Sequence, residues 1–233
     1  MRSQQPRSEP ETSGRDDERP TDGCGGEPDR AAEVDARVYR VIGGQFLERP
    51  DRERVDAVGI WAREWRCTAQ TLPHEFEAAL DRIVEATEVD QETLRSAYTH
   101  LFRGISERAP DPPYESLYAD GQFYSDTTTE IRQGYRWAGV DVDEARGNEP
   151  PDHLGLELQF LGELVATEGL DRGPDEPGLD DAMWWILDEH LMAWLPSYRA
   201  TIVREDPPAY YAGLLDLALA VVTTHHDSLA EKR

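Results

Sequence analysis

The sequence predicts an all-α protein. From Ala31 onward, apolar residues recur at helical spacing; no stretch alternates apolar and polar with period two; and no Asn-Gly turn separates two such runs. The expected form is a single helical domain over residues 31–233, preceded by a disordered acidic tail over residues 1–30. The tail is rich in Pro, Gly, Ser, Asp, Glu and Arg and has no aromatic residue, so it lacks the apolar surface needed to offset the entropy of ordering.

Each helix has its own pattern. Val34, Val38, Val41, Ile42 and Leu47 share a stripe that ends before Pro50. Val55, Val58, Trp61 or Ala62, and Trp65 mark a second helix, and Phe76, Leu80, Ile83 and Val84 a third. Asp90 is placed to cap a fourth, carrying Leu94, Tyr98 and Leu101 and stopping at Gly104. Residues 105–126 break the pattern with prolines and aromatics before Asp126 opens a helix through Ile131 and Tyr135. Pro151 suits a first helical turn, where its missing amide is not needed, and Asp152 would face the positive end of the dipole. That helix carries Leu154, Leu158, Leu161 and Val165. Another begins near Asp180 with Met183, Trp184, Leu187, Leu191 and Trp194, and Pro196 should kink or restart it. The last starts near Pro208 and runs through Leu214, Leu215, Ala218 and Val222. About eight or nine helices result.

Charge narrows the function. The net charge of -24 comes from 48 acids against 24 bases, and Lys232 is the only lysine. Acids run through the whole chain, which reads as adaptation to high salt rather than as the effect of one acidic tail. Nucleic acid is disfavoured as a partner, because phosphate binding needs a basic face, and a cationic protein or peptide is favoured. Cys24 and Cys67 make neither a zinc pattern nor a disulfide framework. The N-terminal residues have no apolar core to serve as a signal peptide, and the most apolar stretch, Tyr210 to Val222, is too short to span a bilayer. A soluble, cytoplasmic protein without membrane insertion is expected.

Two stretches concentrate chemistry. In EPPDHLGLELQFL, residues 149–161, His153 and Glu157 stand four apart and share a helical face, so with Glu149 they form a possible metal set. A histidine and a carboxylate at this spacing are more often an ion pair, and no second histidine lies within helical reach. In the loop around DPPYESLYADG, residues 111–121, Tyr114 and Tyr118, and just after it Phe123 and Tyr124, lie in sequence near Glu115 and Asp120. Such aromatics are either core plugs or, beside acids, a platform for arginine side chains. His225 and His226 diverge around a helix and read as near-terminal polar residues. Gly43 and Gly44 form no dinucleotide fingerprint and read as close helix packing or a bend. Nucleophile elbows, phosphate loops and HExxH are absent.

EPPDHLGLELQFL resembles the E-x-P-D-H-L-x-x-E-L-x-F-M signature of the TorD/DmsD/NarJ-type chaperones for molybdenum enzymes, and PPYESLY resembles the P-x-Y-E-S-V-Y segment before it. Leu161 stands for the usual methionine and Leu117 for the usual valine. DEHLMAWLPSY is similar to a later helix of the family. The resemblance implies a TorD-like helical fold and no catalytic activity or cofactor of its own. It also implies a cytoplasmic partner role: binding an apo-molybdoenzyme catalytic subunit, its twin-arginine signal peptide, or both, until molybdopterin is inserted. Tyr114 and Glu115 carry over from the first motif, and Pro151, Asp152, His153 and Glu157 from the second. On this reading Glu115 and Asp152 take the arginines, Tyr114, Tyr118 and Trp194 form apolar walls, and Asp152 and His153 orient the contact, with Glu157 either joining them or holding His153 in place. A monomer or a helix-swapped homodimer is expected, with hinges at 105–126 or 139–150. The alternatives are a helical metal-dependent hydrolase using His153, Glu157 and Glu149, and a structural assembly subunit.

Overall fold

The computed structural model describes residues 36–69, 72–105, 107–140, 149–168 and 177–233. The tail expected over residues 1–30, Cys24 and the contribution of Val34 lie outside these residues. Ten α-helical segments follow in order: α1 (Ala36–Leu47), α2 (Arg52–Thr68), α3 (His74–Glu85), α4 (Gln91–Phe102), α5 (Glu115–Ala119), α6 (Asp126–Trp137), α7 (Leu154–Ala166), α8 (Leu179–Trp184), α9 (Met192–Val203) and α10 (Ala209–Ala230). A π-helical stretch, Trp185–Leu191, joins α8 to α9 in one continuous rod, and a 3₁₀ turn, Ala86–Glu88, follows α3. Among the described residues there is no strand, and no helix is long and apolar enough to cross a membrane.

The helix starts follow local chemistry. Asp51 caps α2, accepting from the Arg54 amide at 2.8 Å, and Asp90 caps α4, accepting from the Thr93 amide at 3.0 Å. The fourth helix ends where the sequence reading puts it, because Gly104 takes φ +57° just beyond it, the left-handed conformation that closes a helix. Asp90→Ala is expected to remove about 1 kcal/mol of stability, lowering Tm by roughly 2–4 °C. A thermal melt followed by circular dichroism checks it; an unchanged Tm would mean that the cap contributes nothing.

Two starts differ from the sequence reading. Pro151 and Asp152 do not form the first turn of α7. They belong to a turn ahead of it, in which the His153 amide bonds Pro150 O at 3.1 Å, and His153 is the N-cap, its Nδ1 accepting from the Gly155 amide at 3.0 Å. Helix α5 was not expected at all, since five residues cannot display a helical period. Pro196 lies inside α9, which restarts after the π stretch at Met192, the residue whose carbonyl a Pro196 amide would otherwise have met.

Packing centres on α7. Leu154, Leu158, Phe160, Leu161 and Leu164 are fully buried, and every position from Leu154 to Gly162 is enclosed, Glu157 and Gln159 included, so the helix meets solvent only near its C-terminal end, as at Glu163 and Ala166. Helix α1 lies along α7, α3 along α10, α2 on α3, and α5 against both α6 and α9. Two glycines set the first contact. A Cβ on Gly155 would lie 2.6 Å from Gly43 O, and one on Gly43 2.7 Å from Gly155 O, so the backbones meet where neither helix has a side chain. Gly43 thus serves the close packing expected of it, while Gly44 has nothing within 4 Å of its Cβ position.

Candidate functional site

The two motif segments meet at the N-terminal end of α7. Tyr114 and His153 form an antiparallel bridge, with the Leu154 amide donating to Pro113 O at 2.9 Å and the Glu115 amide to Asp152 O at 2.9 Å. The Asp152 carboxylate then accepts from the Ser116 amide at 3.1 Å. Asp152 therefore sits at the positive end of α5, not of its own helix. This interlock accounts physically for the pairing of PPYESLY with EPPDHLGLELQFL: the aspartate of one segment satisfies the orphan amide of the other. Tyr135 adds a clamp from α6, donating to Pro151 O at 2.8 Å while its ring stacks on Phe160.

Beneath this interlock lies a buried polar cluster. Glu115 meets His190 Nδ1 at 3.0 Å, both side chains almost fully enclosed. Trp194 Nε1 donates to Glu157 Oε2 at 3.1 Å. Glu157 is wholly buried, and burial, aided by the nearby charges of Glu115 and Asp152, pushes its carboxyl well above the usual carboxylate range. Burial likewise drops His153 to about 4, with Glu149 opposing, so the ring is neutral, as its acceptor role at the cap requires. At the rim, Glu149 accepts from Arg103 at 2.7 Å and from the Tyr114 hydroxyl. Burial opposes ionisation of Glu149, but these two hydrogen bonds outweigh it and hold the carboxyl below its ordinary value. Burial and Glu149 together raise the Tyr114 hydroxyl.

The structure gathers the residues singled out from the sequence, but not on the surface. Asp152, His153 and Glu157 have 0% exposure, Pro151 is buried, and Glu115, Tyr114 and Trp194 nearly so. The expectation that Glu115 and Asp152 present carboxylates to arginines is thereby corrected: Glu115 is committed to His190 and Asp152 to the α5 amides. Glu157 does not hold His153; it holds Trp194. Of the three expected apolar walls, Tyr118 alone is partly exposed. It packs on Trp194 and Tyr198 and donates to Asp111 O at 2.9 Å.

Sequence reasoning missed His190, although it stands in DEHLMAWLPSY. The π stretch shifts the helical register there and brings His190 opposite Glu115. The reading of His225 and His226 as merely near-terminal is also corrected. His225 Nδ1 lies 2.8 Å from the Tyr39 hydroxyl, and His226 pairs with Asp188 at 2.8 Å and stacks on Trp184. The residues of the metal alternative have other partners: His153 Nδ1 caps α7, Glu149 holds Arg103 and Tyr114, and Glu157 holds Trp194. Among the described residues, no group of three or more His, Cys, Asp or Glu side chains is arranged to hold a metal ion.

Above the cluster, aromatic rings lead outward. His153 packs edge-on against Tyr114, Tyr114 against Phe123 at the same 4.9 Å centroid spacing, and Phe123 against Tyr124 at 6.3 Å. Phe123 is 46% exposed and Tyr124 71%.

Comparison with known proteins agrees with this architecture. The profile of the nitrate reductase delta subunit family matches residues 69–200, more than half of the chain. The chaperone protein TorD of Aliivibrio fischeri is 27% identical over 151 residues, covering 63% of this chain and 69% of that protein. TorD of Salmonella bongori is 22% identical over 192 residues, covering 78% and 82%. A crystal structure from Archaeoglobus fulgidus, of a protein assigned to redox enzyme maturation, superposes with a TM-score of 0.52 at 21% identity, over 82% of this chain and 93% of that one, and so shares the fold. The profile match, the relatives and the interlocked segments lead to one assignment: the chain belongs to the nitrate reductase delta subunit family of TorD-type maturation chaperones.

Proposed function

We propose that this chain is a cytoplasmic chaperone for a molybdopterin-dependent oxidoreductase. It binds the apo catalytic subunit, its twin-arginine signal peptide, or both, and holds the enzyme back until the cofactor is in place. The observation that carries this reading is the interlock of the two motif segments. A five-residue helix and the central helix are fastened together by Asp152 and His153, with an aromatic outlet to the surface. Glu115, Asp152, His153 and Glu157 are enclosed by the fold, which favours a task of presenting a surface over one of turning over a substrate. The net charge of -24 favours a cationic partner and disfavours nucleic acid.

The test is affinity capture with the tagged full chain from its native host, grown on alternative electron acceptors and lysed at native salt, followed by mass spectrometry. Recovery of a molybdoenzyme catalytic subunit with its leader intact is the expected result and names the client. Recovery of none under any growth condition would sink the proposal. A subunit that stays bound after cofactor loading would reassign the chain as a structural assembly component. Sedimentation velocity on the same material separates a monomer from a helix-swapped homodimer.

A further inference from the structure

Of the carboxylates and aromatics that the motifs pointed to, only Tyr118 and Glu149 are partly exposed, and the rings most open to solvent lie just beyond them. The ring series from His153 through Tyr114 and Phe123 reaches solvent at Tyr124. Tyr124 has φ +55°, a left-handed conformation that a bulky L residue adopts only when its surroundings impose it. The neighbouring hydrogen bonds impose it: the Asp120 carboxylate accepts from Thr127 Oγ1 at 2.6 Å and from the Ser125 hydroxyl, closing the turn around Phe123 and Tyr124. Glycine would adopt this conformation without strain. Here the chain holds a tyrosine there and shows most of its ring to water, beside the exposed Asp120 and Asp126.

We propose that the Phe123–Tyr124 tip is the docking surface of this site, and that its occupant is a peptide carrying adjacent arginines next to an apolar segment. This rests on the chaperone reading and adds to it the contact residues. Exposed aromatic faces accept both guanidinium planes and apolar side chains, and Asp120 and Asp126 supply the matching charge. Asp120 suits that role, because its hydrogen bonds from Ser125 and Thr127 hold the carboxyl below its ordinary range and keep it ionised. The buried cluster beneath acts as the mount: Tyr114 is gripped by His153 and Glu149, and Phe123 rests on Tyr114.

The experiment uses the full chain and a fluorescein-labelled synthetic peptide in which an arginine pair precedes a leucine- and alanine-rich segment, read by anisotropy. The same peptide with a glutamine pair is the control. Tyr124→Gly is expected to weaken binding about tenfold, roughly 1.4 kcal/mol, while its Tm is no lower than the parent's, because glycine accepts φ +55° without strain. A residue that served only the fold would not separate the two readouts in this way. Phe123→Ser should weaken binding likewise, and the arginine peptide should lose affinity as salt is raised. Unchanged affinity in both variants, or equal affinity for the glutamine peptide, overturns the proposal. So does altered self-association with unchanged peptide binding, which would assign the tip to a second copy of this chain. If the parent captures a molybdoenzyme subunit from its host and Tyr124→Gly captures it equally well, this inference falls and the chaperone reading stands. If the parent captures none, the reading itself falls.

Discussion

Replacing Gly155 with alanine is expected to destabilise the protein by about 2 kcal/mol, and replacing it with leucine by about 3 kcal/mol or more. On propensity alone the alanine variant should be more stable, since alanine exceeds glycine in a helix by about 1 kcal/mol. Packing reverses the sign. The new Cβ would stand 2.6 Å from the backbone oxygen of Gly43 and 2.6 Å from Leu47 Cγ. A backbone carbonyl cannot swing aside as the end of a flexible side chain can, so α1 must move off α7. Gly44→Ala is the control, on the facing helix α1 beside Gly43 with nothing within 4 Å, and it should gain up to about 1 kcal/mol. At roughly 2–4 °C per kcal/mol, thermal melts should show Gly155→Ala falling by roughly 4–8 °C while Gly44→Ala rises. If both variants rise, the α1–α7 contact is looser than described and the helices are not seated on each other's backbones.

That contrast shows how far the sequence could be read. Helical periodicity located the stripes of α1 to α4 because each has one buried face, and Asp90 and Gly104 marked the ends of α4 through local chemistry alone. Period says little about α7. From Leu154 to Gly162 every position is buried, so no polar face sets the phase at the start of the helix, and nothing local tells a buried acid such as Glu157 from an exposed one. Helix α5 was too short for any period, and the left-handed Tyr124 and the π register at His190 are consequences of tertiary packing that no local pattern announces. The motifs did identify which residues belong together. What they could not give is direction: whether Asp152 points to water or to the amides of α5 depends on where α5 lies.

The motif residues are therefore scaffold, and the difference between scaffold and contact makes Glu157 the most informative interior position. Glu157→Ala would leave the buried Trp194 Nε1–H without its acceptor and open a void beside it, an expected loss of about 3 kcal/mol. Glu157→Gln keeps an acceptor for Trp194 and removes the ionisable group, so at neutral pH it should be more stable than the parent by about 1 kcal/mol. The pH dependence separates causes. Burial raises the folded-state pKa of Glu157 above its ordinary 4.5, so above pH 4.5 the folded chain retains a proton that the unfolded chain has released. Its contribution therefore falls as pH rises from 4.5. His153 acts in the opposite sense. Its folded pKa is depressed from 6.5 to about 4, so between those values the unfolded chain binds the proton and stability is lost as pH falls; His225, also depressed to about 4, adds to that slope. In the parent the two slopes oppose each other above pH 4.5. Glu157→Gln removes the opposing slope and leaves the other groups, among them the depressed Glu149 and Asp120 and the raised His226, as in the parent, so its stability should climb more steeply than the parent's from pH 4.5 to 6.5, with the advantage over the parent widening as pH rises. Urea unfolding at a series of pH values measures both curves. If they run parallel, Glu157 ionises as an ordinary carboxylate and the site must open to water; if they diverge, the acid of the motif is a protonated strut inside the buried cluster.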